Sequence, residues 1–247
     1  IGEPAEDFPG RGRVEVAVEC SPSASPEFEG RGAEEVNADL ARSLALFLND
    51  PSSFDLEALC IIPGRSCWVV YVDALVLDSA GNLADALALA CRAALATTMY
   101  PKIHVTMLAD GEPEIDVTDD PEDVEHLNIS KVPVSVTLAK VGKRYIVDPT
   151  LEEEICMRSK IVASVNAQGK ICSLEKTGRM GLKPSELGEI LQCAKKVGSG
   201  YHRKLGNQLQ NGVRGGSAGG SDFLGPSPSA ATMAHLTSVV KEALAGQ

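Results

Sequence analysis

Residues 67–97 read as one long apolar strand running almost directly into an alanine-rich helix. That junction limits the chain to folds in which packed helices lie on a sheet. The strand, within "CWVVYVDALVLD", is nearly all apolar; it is expected to end at Asp78 and to be buried on both faces. The helix, within "SAGNLADALALACRAALATTMY", carries Leu83, Leu87, Ala90 and Ala94 along one stripe. Its many alanines make it narrow, so it can pack closely on a sheet.

The flanking segments follow the same logic. Val14, Val16 and Val18 alternate with Glu15, Ala17 and Glu19, the period-two pattern of a strand with one buried face. "SPSASPEFEGRG" breaks regularity, and from Ala33 the pattern turns helical, with Val36, Leu40, Leu44 and Phe47 on one side and Pro51 as the stop. Pro63-Gly64 marks a turn ahead of the long strand. "KIHVTML" reads as a strand, and "DGEPEIDVTDDPEDVEH" as an exposed acidic loop or hairpin. Two hairpins are expected to turn at Gly142-Lys143 and near Gln168-Gly169. A long helix opens at Pro184 and Ser185, carries Leu187, Ile190, Leu191, Ala194 and Val197, and is expected to run to about Leu209. The order of strand, helix, paired strands, helix, hairpins and helix predicts an α+β fold. Residues 211–229 are expected to form a flexible Gly/Ser/Pro linker, and 230–247 a C-terminal tail able to form a short helix.

Composition narrows the function classes. Acidic side chains outnumber basic ones 34 to 23, giving a net charge of −11. A free-standing nucleic-acid binder draws most of its affinity from phosphate neutralisation, so RNA contact here requires a local basic patch or partner subunits. The seven cysteines are scattered without Cys-x-x-Cys or zinc spacing and are expected to be buried, reduced thiols. No apolar run approaches the ~20 residues of a membrane span. The four histidines are dispersed, with no triad-like grouping, and the Gly-rich stretch near residue 215 does not join a strand to a helix as a nucleotide loop does.

The stretch "DPTLEEEICMRSK", Asp148 to Lys160, changes sign in the middle. Acidic clusters ahead of a strand are one way to hold a divalent metal. The plainer reading of Glu152, Glu153 and Glu154 is a solvated acidic turn with a weak Glu154–Arg158 surface pair. A vestigial metal site and interface pairing are the other two readings.

At "SPSASPEFEGRG", "CWVVYVDALVLDSAGNLADALALACRAAL" and "VPVSVTLAKVGKRYIVDPTLEEE" the chain resembles the RNase PH family, and within it the ring-forming subunits of the eukaryotic RNA exosome. The resemblance covers roughly residues 14–210 and implies an RNase PH-like fold of mixed sheets and βαβ units. It implies lobes of about 1–110 and 111–210. The family's first sheet has further strands in front; with these lacking, unpaired sheet edges are expected.

The resemblance also locates the phosphorolytic site of active members. Their phosphate loop, Asp-Gly-Gly-Thr-Arg, falls on Asp78 to Asn82, so the hydroxyl position holds Gly81 and the phosphate-gripping Arg position holds Asn82. Asn lacks the charged bidentate fork that phosphate favours. The metal-binding carboxylate pair falls on Arg158 and Lys160. A divalent ion ~5 Å from one cation, at an effective dielectric of ~20, is repelled by roughly 7 kcal/mol. The resemblance therefore implies a non-catalytic subunit with no metal or cofactor.

Its implied partners are other RNase PH-like subunits in a six-membered ring, RNA-binding cap subunits, a hydrolytic nuclease subunit and single-stranded RNA. The implied compartments are nucleus, nucleolus and cytoplasm, and the implied work is ribosomal RNA processing and mRNA turnover. Arg31, Arg42 and Arg65 are candidates for RNA phosphate contact, against the plainer reading of solvated surface. Two rival functions remain open: an active phosphorolytic 3′–5′ exoribonuclease, and a stand-alone RNA-binding adaptor.

Overall fold

The computed structural model describes residues 1–108 and 112–215. The chain enters β1 (Arg13–Cys20), crosses through α1 (Gly32–Leu48), passes an antiparallel pair, β2 (Cys60–Ile62) and β3 (Ser66–Cys67), and returns as β4 (Val69–Val76). β1 and β4 pair in parallel, Arg13 opposite Val69 and Cys20 opposite Val76. Parallel partners need a long crossover, and α1 supplies it. Its Ala33, Leu44, Phe47 and Leu48 are buried with Val14, Val18 and Val76 in a first core.

The segment expected as one long strand is interrupted at Trp68, and its regular part ends at Val76. The expectation that β4 is buried on both faces fails. Tyr71 is 67% exposed, and Leu75 and Leu77 are more than half exposed. The reason is layer count: α1 covers one face of this two-stranded sheet, and no second layer of described residues covers the other. No third strand joins the sheet among the described residues. On the β1 side, the Asn49 and Asn37 side chains accept the N–H groups of Val14 and Cys20 at 3.3 and 2.9 Å, filling part of the open edge.

α2 (Leu83–Thr97) follows, then two small antiparallel ribbons. β5 (Met99–Pro101) pairs with β8 (Val124–His126), and β6 (Ile103–Met107) pairs with β7 (Pro113–Val117). Within the acidic segment, residues 113–117 and 124–126 are strand, each returning to a strand before it.

The second sheet contains β9 (Val134–Val141), β10 (Arg144–Val147), β11 (Ser159–Val165) and β12 (Ile171–Gly178) in the antiparallel order β10-β9-β11-β12. Both predicted hairpins form, and Gly142 and Gly169 take the positive φ of 62° and 74° that their turns require. Between β10 and β11 lies the short α3 (Leu151–Cys156). α4 (Pro184–Gly215) closes the fold, burying Ile190, Ala194, Tyr201 and Leu205 against the sheet. The Lys140 ammonium donates to Glu186 Oε2 at 2.7 Å and pins the first turn of α4 to β9. α4 runs about six residues beyond its expected end, because no proline stands between Pro184 and Pro226 to stop it. The remainder of the expected linker and the C-terminal tail lie outside the described residues.

α2 belongs to both cores. Leu87, Ala88, Cys91 and Leu95 join the first, while Leu89 and Ala93 join the second. The single stripe expected from the sequence is therefore wrong at Ala94, which is exposed, and at Ala90, which is half-buried. A helix buried on two sides needs a wider apolar arc than one 3.6-residue stripe describes.

All seven cysteines are free thiols. Burial raises the pKa of Cys20, Cys67 and Cys91, the last to about 11. Cys156 departs from the expectation of burial: α3 packs no face into a core and leaves it exposed. Among the described residues no helix is long and apolar enough to cross a membrane.

Because Leu89 is fully buried where α2 meets the second core, Leu89→Ala is expected to lower unfolding stability by about 3 kcal/mol. The exposed Leu46→Ala on α1 is expected to change it by less than about 0.5 kcal/mol. Urea midpoints of the two variants check this.

Candidate functional site

The loop from β4 to α2 and the turn from β10 to α3 lie against each other. The Leu151 N–H donates to the Ala80 carbonyl at 3.0 Å. Gly81 sits between them with φ at 105°. A Cβ there would stand 2.6 to 2.7 Å from the backbone of Pro149, Thr150 and Leu151. The position therefore has no space for the serine or threonine hydroxyl that the resemblance places there in active members.

Asn82 follows in a left-handed conformation (φ 50°) and is buried. Its side chain makes no cap bond to the first turn of α2. Instead Nδ2 donates inward, to Asp85 Oδ2 at 2.9 Å and to Asp148 Oδ1 at 2.6 Å. Its Oδ1 is buried without a hydrogen-bond partner. The Asn82 side chain thus crosslinks the start of α2 to the turn after β10 and does not reach toward solvent.

Asp85 is fully buried in the first turn of α2. Its carboxylate also accepts the Thr137 N–H at 2.9 Å and the Thr137 hydroxyl at 2.7 Å. This bond has a topological cause. β10 pairs only with residues 138–141 of β9, so the earlier half of β9 has a free edge. The Asp85 carboxylate takes the place of the missing strand there. Burial pushes the Asp85 carboxyl up to about 7, while the hydrogen bonds from Asn82 and Thr137 pull it down.

Lys160 lies on β11 opposite Ala139, two pairs along from Val162 and Thr137. Strand alternation puts Lys160 and Thr137 on one face of the sheet, about 7 Å apart along the diagonal. Arg158 stands before the β11 ladder and is exposed; its N–H donates to the Lys140 carbonyl. Asp78 is exposed two residues beyond the end of β4. Asn82 is thus linked through Asp85 and Thr137 to the sheet face that carries Lys160, whereas Asp78 and Arg158 are exposed. Among the described residues no three His, Cys, Asp or Glu side chains converge as a metal-binding set.

The acidic turn has a structural role. Thr150 and Glu153 form a capping box: Thr150 Oγ1 accepts the Glu153 N–H at 3.4 Å, and Glu153 Oε2 accepts the Thr150 N–H at 2.9 Å. The expected Glu154–Arg158 pair does not form among the described residues. α3 ends at Cys156 and the chain turns extended at Met157, so the i, i+4 geometry is lost.

Arg31 and Arg42 are both exposed, eleven residues apart on one side of α1 and thus about 16 Å along its axis. Arg42 pairs with Asp39 at 2.7 Å. Arg65 lies apart from them in the β2–β3 turn, paired with Glu112 at 3.5 Å.

The sequence reading missed Asp85 and Thr137. The available signal was an aspartate three residues after Asn82 in an otherwise apolar helix start, a charged side chain on a face that must be buried.

A carboxyl raised from about 4 to about 7 gives stability that is complete below its unfolded pKa and is lost as pH rises through the folded value. Relative to Asp85→Asn, the natural chain is expected to lose stability as pH rises from about 4 to about 7, by at most about 1.4 kcal/mol per unit, and to level off above that. Denaturation midpoints of both proteins across that range test it; a constant difference would contradict the burial argument. Gly81→Ser, which restores the family's hydroxyl, is expected to destabilise by about 2 kcal/mol or more through positive φ and backbone overlap. Thermal unfolding reads this directly.

Two family models match the chain: 3′ exoribonuclease family domain 1 over residues 1–101 and domain 2 over residues 131–197. An exosome-complex RRP42 of Dictyostelium discoideum, whose name carries the word exonuclease, is 36% identical over 226 residues, 75% of this chain and 70% of that protein. The exosome complex component Rrp42 of Methanopyrus kandleri is 37% identical over 85% of this chain and 76% of its own length. Among solved structures, an Archaeoglobus fulgidus exosome with RNA bound to the active site matches with a TM-score of 0.65 and 32% identity, over 82% of this chain and 74% of that one. An archaeal exosome core matches with a TM-score of 0.64 and 29% identity, over 85% and 73%. Both halves of the family's domain pair are present in order and the relatives span most of the chain, so this protein belongs to the RNase PH-like 3′ exoribonuclease family.

Proposed function

We propose that the chain is an Rrp42-type ring subunit of an RNA exosome core that works by shape and not by phosphorolysis. Support for ring membership comes from relatives that are exosome components at 36% and 37% identity, and from a fold shared with exosome cores. The observation that carries the non-catalytic reading is the direction of Asn82. The residue at the phosphate-gripping position is consumed by Asp85 and Asp148 inside the protein, and Gly81 beside it has no room for a hydroxyl. Phosphorolysis needs preorganised cationic donors around phosphate and charge neutralisation by a metal. Arg158 and Lys160 at the metal positions oppose the second requirement.

In this reading the chain pairs with other RNase PH-like subunits, lies beneath RNA-binding cap subunits, and helps thread single-stranded RNA toward a hydrolytic nuclease subunit. Its sites of action are the nucleus, nucleolus and cytoplasm, in ribosomal RNA processing and mRNA turnover. Arg31 is the best of the three candidate arginines for backbone contact, because Arg42 and Arg65 each have a carboxylate partner.

The word exonuclease in the Dictyostelium relative's name favours a second reading, an active phosphorolytic subunit. One preparation separates the two. The tagged chain, purified from cells with its partners, is expected to appear in native mass spectrometry as one copy within a larger ring. The chain alone is expected to release no nucleoside diphosphate from RNA and inorganic phosphate. Release above background by the chain alone would overturn the non-catalytic reading, and a stable free monomer would overturn the ring reading.

A further inference from the structure

The β6–β7 ribbon is a two-stranded sheet that joins no larger one among the described residues. Its register places Ile103 opposite Val117, Val105 opposite Ile115 and Met107 opposite Pro113. These six apolar residues share one face, while His104, Thr106, Glu114 and Asp116 share the other. None of the six belongs to either buried core. Met107 is 70% exposed, and Val105, Leu108 and Val117 are exposed as well. Ile103, Pro113 and Ile115 are half-buried, so the described residues leave the face open mainly at Val105, Met107 and Val117. An isolated two-stranded ribbon is marginal in water, and an apolar face left open in this way marks a contact surface. The ribbon is nonetheless held in place. The Lys102–Asp123 ion pair closes its base, and Arg65 meets Glu112 near its tip.

Charge and area select the occupant. Residues 112–125 contain eight carboxylates, Glu112, Glu114, Asp116, Asp119, Asp120, Glu122, Asp123 and Glu125, and no lysine or arginine. The setting is also acidic. Residues 1–126 hold 25 Asp and Glu against 7 Lys and Arg, a net of −18, whereas residues 127–247 hold 9 against 16, a net of +7. Such a surface repels nucleic acid. The apolar face is ~17 Å long and ~10 Å wide, about 170 Å². That is far below the ~800 Å² per partner of a stable interface, so two copies meeting through this ribbon alone would not hold. We propose that the apolar face of β6–β7 is one element of a docking surface for a different protein subunit, which presents an apolar strip bordered by lysine and arginine. This inference holds whether or not the assembly is an exosome ring.

The test uses the full tagged chain co-purified from cells with its partners. A photo-reactive residue, Met107→benzoylphenylalanine, is expected to crosslink to a partner-protein segment that contains both apolar and basic residues. Val105→Ser with Met107→Ser is expected to leave the chain's thermal unfolding transition intact and to reduce retention of that partner at least tenfold. Glu114→Lys with Asp116→Lys, on the exposed polar face where packing is not disturbed, is expected to weaken retention at low salt, with the difference shrinking at high salt. Crosslinking to RNA, to a second copy of this chain or to nothing would overturn the proposal. So would unchanged retention in both double variants.

Discussion

Everything in this fold passes through the burial of α2 on two sides. Leu87, Ala88, Cys91 and Leu95 hold it to the first core, Leu89 and Ala93 hold it to the second, and Asp85 ties its first turn to the free edge of β9. A helix shared by two cores cannot rotate to improve one contact without damaging the other. Its alanines matter for the same reason: small side chains let the helix lie close to both. The cost is a carboxylate held out of water, offset by three donors, two from Thr137 and one from Asn82.

That constraint also shapes the site. Once Asp85 is buried, it needs a donor from the helix N-terminus, and Asn82 is the residue that reaches it. An arginine at position 82 would have to bury its guanidinium beside Asp85 or turn outward and leave Asp85 short of one donor. The residue type at position 82 and the internal anchoring of α2 are therefore one choice. Gly81 makes the companion choice: the loop backbones approach so closely that only a residue without a Cβ fits.

What the sequence made legible was local. The two hairpins and the α1 stripe each follow from residues within a few positions of one another. What it hid was long-range. Asp85 and Thr137 are 52 residues apart, and nothing near either one announces the other. The open face of β4 was misread because an unbroken apolar run looks the same whether the second face meets this chain or another molecule. Ala94 was misread because a two-sided helix does not keep to one stripe. The sequence set Gly81 and Asn82 against the family's pattern, but the inward turn of Asn82 depends on Asp148, a loop contact across 66 residues.

The parallel pairing of β1 with β4 has a consequence for how the chain is made. Arg13 must find Val69, 56 residues later. At ribosomal speeds of about 5–20 residues per second, the earlier strand waits roughly 3–11 s for its mate. Throughout that delay β4 is not yet there to pair with Val14, Val16 and Val18, and a strand left waiting is a template for mispairing. Correct biogenesis of this protein therefore depends on something that shelters a nascent segment for seconds, whether α1 folding early over it or a chaperone holding it.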